Sequence, residues 1–208
     1  MKRLTPNDLA EAAALLGHGE VVGIPTDTVY GIGCRLESTD GVARLFALKD
    51  RPGDVALPVL VASVEMAVEL VGEVAPSQRA LLTRWWPGAV TFVVPCEPEL
   101  AARVGSTTAS IGLRCPDDAL TRSLLSEVGP MAVTSANLHG APPATSADEL
   151  LDAFAQTSGI AAVLDGGPRA GASSTVVSLD EAGRLTVLRD GPIDRRDLEA
   201  SIEEISRG

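Results

Sequence analysis

GIPTDTVYGIG, residues 23–33, decides how the rest of the chain is read. The apolar run that begins at Glu20-Val21-Val22 closes on Pro25, and a proline ends a strand because it has no N–H for the ladder. Thr26 and Thr28 then flank Asp27, and Tyr30 leads into Gly31 and Gly33, one residue apart. Locally this predicts a strand, a proline stop and a tight Gly-x-Gly turn. Strand ends are also where α/β proteins meet ligands, because loops converge there and helix N-termini offer free N–H groups. Asp27 reads either as a turn cap or as a site residue, and the cap is preferred.

Outward from this stretch, helical and strand patterns alternate. A helix at about 7–17 precedes the strand at 20–25. Ser38 caps TDGVARLFALK, whose Val42, Leu45, Phe46 and Lys49 share one side at helical spacing. ALPVLVAS (56–63) predicts a strand, with Ser63 opening the helix VEMAVELV. A helix at about 77–86 runs into WWPG, and AVTFVVP follows as a β-branched and aromatic strand. ASIGLRCP, PMAVTSAN, IAAVLDGG, STVVSLD and RLTVLRDG continue as strands; DDALTRSLLSEVG, a segment after the Pro-rich HGAPPATSADELLDAF and a segment from Asp194 continue as helices. The expected fold is α/β: a single domain over 1–208, with a twisted mixed β-sheet flanked by helices. The closely spaced late strands argue for the mixed sheet over a purely parallel one.

Composition narrows the function classes. Of 208 residues 45% are hydrophobic but only 3% aromatic, so the core falls to Ala, Val, Leu and Ile. No run approaches a membrane span, and the N-terminal segment patterns as an amphipathic helix; a soluble, cytoplasmic protein is expected. A formal charge of -11 disfavours broad attachment to nucleic acid, which requires neutralising phosphates. Cys34, Cys96 and Cys115 lack CxxC spacing, so free thiols are expected and no metal site is predicted. With His18 and His139 the only histidines, a Ser-His-Asp triad has little to draw on.

Polar residues collect at strand ends: Thr26 and Thr28 after GIP, Arg114 before Cys115-Pro116, Ser135 and Asn137 in TSAN, and Arg189 before Asp190-Gly191. KDRP (49–52) adds two cations. Lys49 and Arg51 read equally as a pair complementing a helix C-terminus or as a phosphate clamp, Lys a point charge and Arg a fork. Neither G-x-G-x-x-G nor G-x-x-x-x-G-K-[ST] occurs. The glycine-rich DGGPRAGASSTVV (165–177) reads either as a turn or as a backbone cradle, and WWPG as core and turn.

PTDTVYGIG, LFALKDRP, WWPGAVTFVV, IGLRCP, TSAN, GASSTVV and VLRDG occur together and in this order. The series resembles the YrdC family of threonylcarbamoyl-AMP synthases, in its short, single-domain form, from about residue 20 to 192. The resemblance implies synthesis of threonylcarbamoyl-adenylate and pyrophosphate from ATP, L-threonine and bicarbonate. A partner transferase would then modify tRNA. It implies Lys49 and Arg51 as the catalytic phosphate clamp, joined on the nucleotide by Ser135, Asn137 and Arg189. Thr26, Thr28, Arg114 and Ser174 would hold threonine, and Mg2+ would arrive on the nucleotide. Two departures stand out: Ser173 stands where the family often has Glu, and GDVALPVLV follows KDRP with an unusual spacing. Two other readings remain: a non-catalytic RNA-binding module of the same fold, and a carbamoyl-transfer domain like that of hydrogenase-maturation proteins. The charge opposes the first, and the lack of an adjoining zinc-finger or acylphosphatase-like segment opposes the second.

Overall fold

The alternating apolar runs become strands of one sheet, and the capped amphipathic segments between them become the helices that cover it. In the computed structural model the described residues are 1–49, 56–72, 74–179 and 184–207. The strands are β1 (Lys2–Leu4), β2 (Val22–Ile24), β3 (Gly31–Arg35), β4 (Val59–Leu60), β5 (Val90–Pro95), β6 (Ser110–Arg114), β7 (Met131–Ser135), β8 (Ala162–Leu164), β9 (Thr175–Leu179) and β10 (Leu185–Arg189). The helices are α1 (Leu9–Gly17), α2 (Thr39–Lys49), α3 (Val64–Val71), α4 (Pro76–Trp85), α5 (Pro98–Arg103), α6 (Ala119–Val128), α7 (Ala147–Ala153) and α8 (Arg195–Arg207). The ten strands lie in the order β1-β8-β2-β3-β7-β4-β6-β5-β9-β10, with parallel and antiparallel neighbours.

Short side chains start the helices where the sequence placed them. The Ser63 hydroxyl accepts the Met66 N–H at 3.2 Å, and the Asp118 carboxylate accepts that of Thr121 at 2.8 Å. Ser146 does the same for Glu149. Each satisfies a donor that the first helical turn leaves without an internal partner.

The two faces of the sheet are covered unequally. On one face, α1 and α6 bury Ala12, Leu16, Leu124 and Leu125 against Val22, Ile24, Met131 and Val133. The other core joins Leu45, Leu82, Ala101, Leu150 and Leu198 of the remaining helices to Tyr30, Ile32, Phe92, Ile111 and Leu113. Over β4, β6, β5 and β9, the face shared with α1 and α6 opens into a cleft.

The sequence reading needs three corrections. Gly31 and Gly33 belong to β3, paired to β2 and β7, and make no turn; the turn is residues 25–30. Their service is room between strands. A Cβ on Gly31 would lie 2.7 Å from Val133 Cγ1, and one on Gly33 2.7 Å from Val133 Cγ2 and 3.0 Å from the Ala132 carbonyl. The strand expected at 56–63 is the two-residue β4, and β1 and α5 were missed. WWPG is core and turn as read: Trp86 is buried, donates to the Val90 carbonyl at 2.8 Å and meets Phe92 edge-on at 5.8 Å.

Candidate active site

Alternation along the strands sets the cleft's lining. Ser110, Gly112 and Arg114 on β6 are two residues apart and share a face. Thr91 and Val93 on β5, and Ser174 and Val176 at β9, join them. The cleft has a volume of about 400 Å³, within the range of small-molecule sites. Val93, Val133, Val176, Leu57 and Leu60 make its lining partly apolar, and hydroxyls and two arginines supply the polar groups.

Arg114 is its most constrained charge. The residue is 6% exposed, and its guanidinium donates to the Gly88 carbonyl at 3.0 Å, to Thr28 Oγ1 at 2.9 Å and to Asp27 Oδ1 at 2.6 Å. Burial pulls the guanidinium below its ordinary arginine value, and Asp27 pulls it back. Three of five N–H donors are thus committed, leaving two for a ligand in the cleft that Arg114 lines. Asp27 is therefore more than the turn cap that was preferred. Its carboxylate pairs with Arg114 and also accepts the Asp117 backbone N–H at 3.1 Å.

Thr26 and Thr28 line the cleft, but their protons are used within the loop. Thr26 Oγ1 donates to the Val29 carbonyl at 2.7 Å and accepts the N–H groups of Thr28 and Val29, both at 3.2 Å. Its single proton is then committed, so in the 2.9 Å contact between the two hydroxyls Thr28 is the donor. In this geometry the pair shapes the loop and presents an acceptor to Arg114.

On the opposite wall, Ser174 is 5% exposed and its hydroxyl meets Thr91 Oγ1 at 2.8 Å. Arg189 reaches from β10 to the Ser174 carbonyl at 2.8 Å and hydroxyl at 3.1 Å. Ser135 also lines the cleft, and its hydroxyl donates to Asn137 Oδ1 at 2.6 Å. Lys49 and Asn137 stand behind Ser135 and do not line the cleft. Lys49, 4% exposed at the end of α2, donates to the carbonyls of Ser135 (3.0 Å) and Asn137 (2.6 Å) and to Asn137 Oδ1 (2.7 Å). Arg51 lies outside the described residues.

The structure thus gathers Thr26, Thr28, Arg114, Ser135, Ser174 and Arg189 around one cleft. Thr91, Ser106, Thr108 and Ser110 also line it and were not singled out from the sequence. Ser106, Thr108 and Ser110 are i, i+2 hydroxyls in STTAS that link side by side, Thr108 to Ser110 at 2.8 Å. That alternation, running into a strand that ends in Arg114, was the available signal. Among the described residues no three His, Cys, Asp or Glu side chains gather as a metal site, and no helix is long and apolar enough to cross a membrane.

Comparison with known proteins gives a consistent family. The Sua5/YciO/YrdC family model, described as telomere recombination, matches residues 14–191. A Bacillus subtilis protein named threonylcarbamoyl-AMP synthase is 39% identical over 97% of this chain and 59% of its own length. A Mycobacterium leprae protein named as a putative threonylcarbamoyl-AMP synthase is 40% identical over 89% of the chain and 83% of its own. Among solved structures, P. abyssi Sua5 complexed with L-threonine superposes with a TM-score of 0.86 at 30% identity, covering 98% of this chain and 61% of that one. The chain therefore spans about three fifths of the length of two of these relatives.

Proposed function

The chain belongs to the Sua5/YciO/YrdC family, and from that premise we propose that it makes threonylcarbamoyl-AMP from L-threonine, bicarbonate and ATP, releasing pyrophosphate. The product is the activated group that a partner transferase places on tRNA, work that belongs in the cytoplasm. The observation that carries this reading is Arg114: a buried, ion-paired guanidinium with two donors to spare, lining a cleft rich in hydroxyls. That arrangement suits a planar carboxylate, which a guanidinium binds through two parallel N–H bonds. The L-threonine bound to P. abyssi Sua5, a protein of the same fold and 30% identical, supports it.

The chemistry requires no protein nucleophile. The threonine amine and bicarbonate condense to a carbamate and water; a carbamate oxygen then attacks the α-phosphorus, and pyrophosphate leaves with the electron pair of the broken P–O bond. The site's work is to hold the reactants in line and to offset phosphate charge. Arg114, kept in aim by Asp27 and Thr28, holds the amino-acid carboxylate, and Ser174 borders the same end. Arg189 and Ser135 face the nucleotide, Asn137 fixes the Ser135 hydroxyl from behind, and Mg2+ travels with the nucleotide; the family's pattern assigns Arg51 to the same phosphates. Lys49 holds the turn at 135–137, and its ammonium lends positive potential to the phosphate end through a buried, low-dielectric region.

The test is pyrophosphate release by purified protein with ATP and magnesium. Release should require L-threonine and bicarbonate together, and Lys49→Ala should lower it by roughly 100-fold or more. Circular dichroism should show that variant folded. Release indifferent to threonine or bicarbonate would overturn the assignment.

A further inference from the structure

We propose that Arg169 is a positioning residue: it pins the glycine-rich segment 165–174 to the start of α6, and so sets the wall that presents Ser173 and Ser174 to the cleft. Arg169 Nη2 lies 3.1 Å from Asp118 Oδ2 and donates to the Gly166 carbonyl at 2.8 Å. Its guanidinium stands over the Tyr30 ring, 5.9 Å from the centroid. Asp118 is the N-cap of α6, using its other carboxylate oxygen on Thr121, so the anchor is a fixed point of the fold.

The rest of the segment is tied in the same way. The Tyr30 hydroxyl donates to the Gly167 carbonyl at 2.9 Å and accepts the Gly166 N–H at 3.0 Å. Asp165 accepts the Gly167 N–H at 2.9 Å and is gripped by Arg3 at 2.6 and 2.9 Å. The backbone N–H of Arg169 donates to Thr145 O at 2.8 Å, and that of Gly171 to Thr28 O at 2.9 Å. Gly171 does so at φ +93°, a conformation that side chains rarely adopt. Thr28 is the residue whose hydroxyl receives Arg114. The segment therefore braces the loop behind Arg114 at Gly171 and supplies the facing wall two residues later.

A role in stability alone explains Arg169 poorly. Its side chain is 15% exposed and its partner's 9%, and the buried Arg169 Nε has no hydrogen-bond partner. Compared with a well-packed apolar pair in the same place, a buried ion pair adds little net stability, and what it supplies here is one fixed geometry for the segment. The proposal rests on the cleft being a threonine and ATP site, and the experiment separates the two.

Arg169→Met keeps the bulk and removes the charge. Losing one partner of a buried pair leaves the Asp118 carboxylate uncompensated, so the variant's melting temperature should fall by roughly 10 °C while the protein stays folded at 25 °C. In ligand-free protein, hydrogen exchange in peptides covering 166–174 should quicken roughly tenfold. The KM for threonine should rise about tenfold with kcat little changed, and Arg169→Lys should recover part of the loss. Asp118→Asn retains the helix cap while removing the charge partner, and it should show the same pattern if Arg169→Met fails to fold. Unchanged exchange and KM would overturn the proposal, as would losses that merely follow global unfolding. A wild-type protein without threonine-dependent turnover would sink the functional reading, while the exchange measurement still decides whether Arg169 holds the segment.

Discussion

At the residue scale, the fold separates charges that are held from thiols that are hidden. Arg114 tolerates burial because Asp27, Thr28 and a carbonyl answer three of its donors. For Cys34 and Cys115 burial outweighs the nearby arginines, Arg44 and Arg122, and pushes the thiols up to about 12 and about 11. A thiol with a raised folded-state pKa stays protonated after the unfolded chain has begun to release its proton. Stability from this source is complete below the ordinary thiol range and is lost as pH climbs toward the folded value. Cys34→Ala lacks this loss but carries a constant cavity penalty of about 1 kcal/mol. The gap in melting temperature between wild type and Cys34→Ala should therefore be widest near neutral pH and narrow steadily in alkali. A gap that stays constant would mean that Cys34 ionises as readily folded as unfolded.

At the element scale, the hairpin of β2 and β3 ties sequence to site. Its loop carries Thr26, Asp27 and Thr28, and its second strand needs glycine because β7 lies so close. Gly33→Ala would set a methyl group 2.7 Å from Val133 and 3.0 Å from a backbone carbonyl that cannot step aside. We expect about 1–3 kcal/mol of destabilisation, measured by urea unfolding, from overpacking. Gly72→Ala, where a Cβ meets nothing within 4 Å, should act through backbone strain alone, since φ is +83°. Much of this element was legible: the β2 end, the proline stop and the polar loop follow from residue type. The role of the glycines was not, because Gly-x-Gly reads as a turn unless the strand facing it is known, and Val133 is 100 residues away. Asp27 was misjudged for the same reason, its partner Arg114 being distant in the chain. The i, i+2 hydroxyls of STTAS were visible but looked like ordinary strand polarity until β6 was placed over the cleft. Lys49 was picked out as a cation. Nothing local to KDRP shows that its ammonium binds the turn at 135–137.

At the scale of the whole molecule, the unequal cover of the sheet makes the cleft, and the charge balance limits what it meets. Helices α1 and α6 fill one half of their face, leaving the strands that carry Arg114 and Thr91, and Ser174 just before β9, open to a ligand. The alternation of segments foretold a mixed α/β sheet, but it held no information about which half would be left bare. The same alternation bears on the RNA-binding alternative. Lys and Arg number 17 against 28 Asp and Glu, and many of the arginines are already matched: Arg3, Arg35, Arg44, Arg114, Arg122 and Arg169 each pair with an acid. Arg114 and Arg169 are also largely buried, so they are poorly placed to neutralise an extended phosphate backbone. Nucleic-acid affinity without sequence readout comes from counterion release and needs several such contacts at once. The protein at about 1 µM should therefore fail to retain tRNA on a filter near 150 mM salt, where non-specific binding is already weak. Adding tRNA should leave the rate of threonine-dependent pyrophosphate release unchanged. Retention at that salt, or a rate that responds to tRNA, would show a basic surface that the charge balance conceals and restore a direct role for RNA.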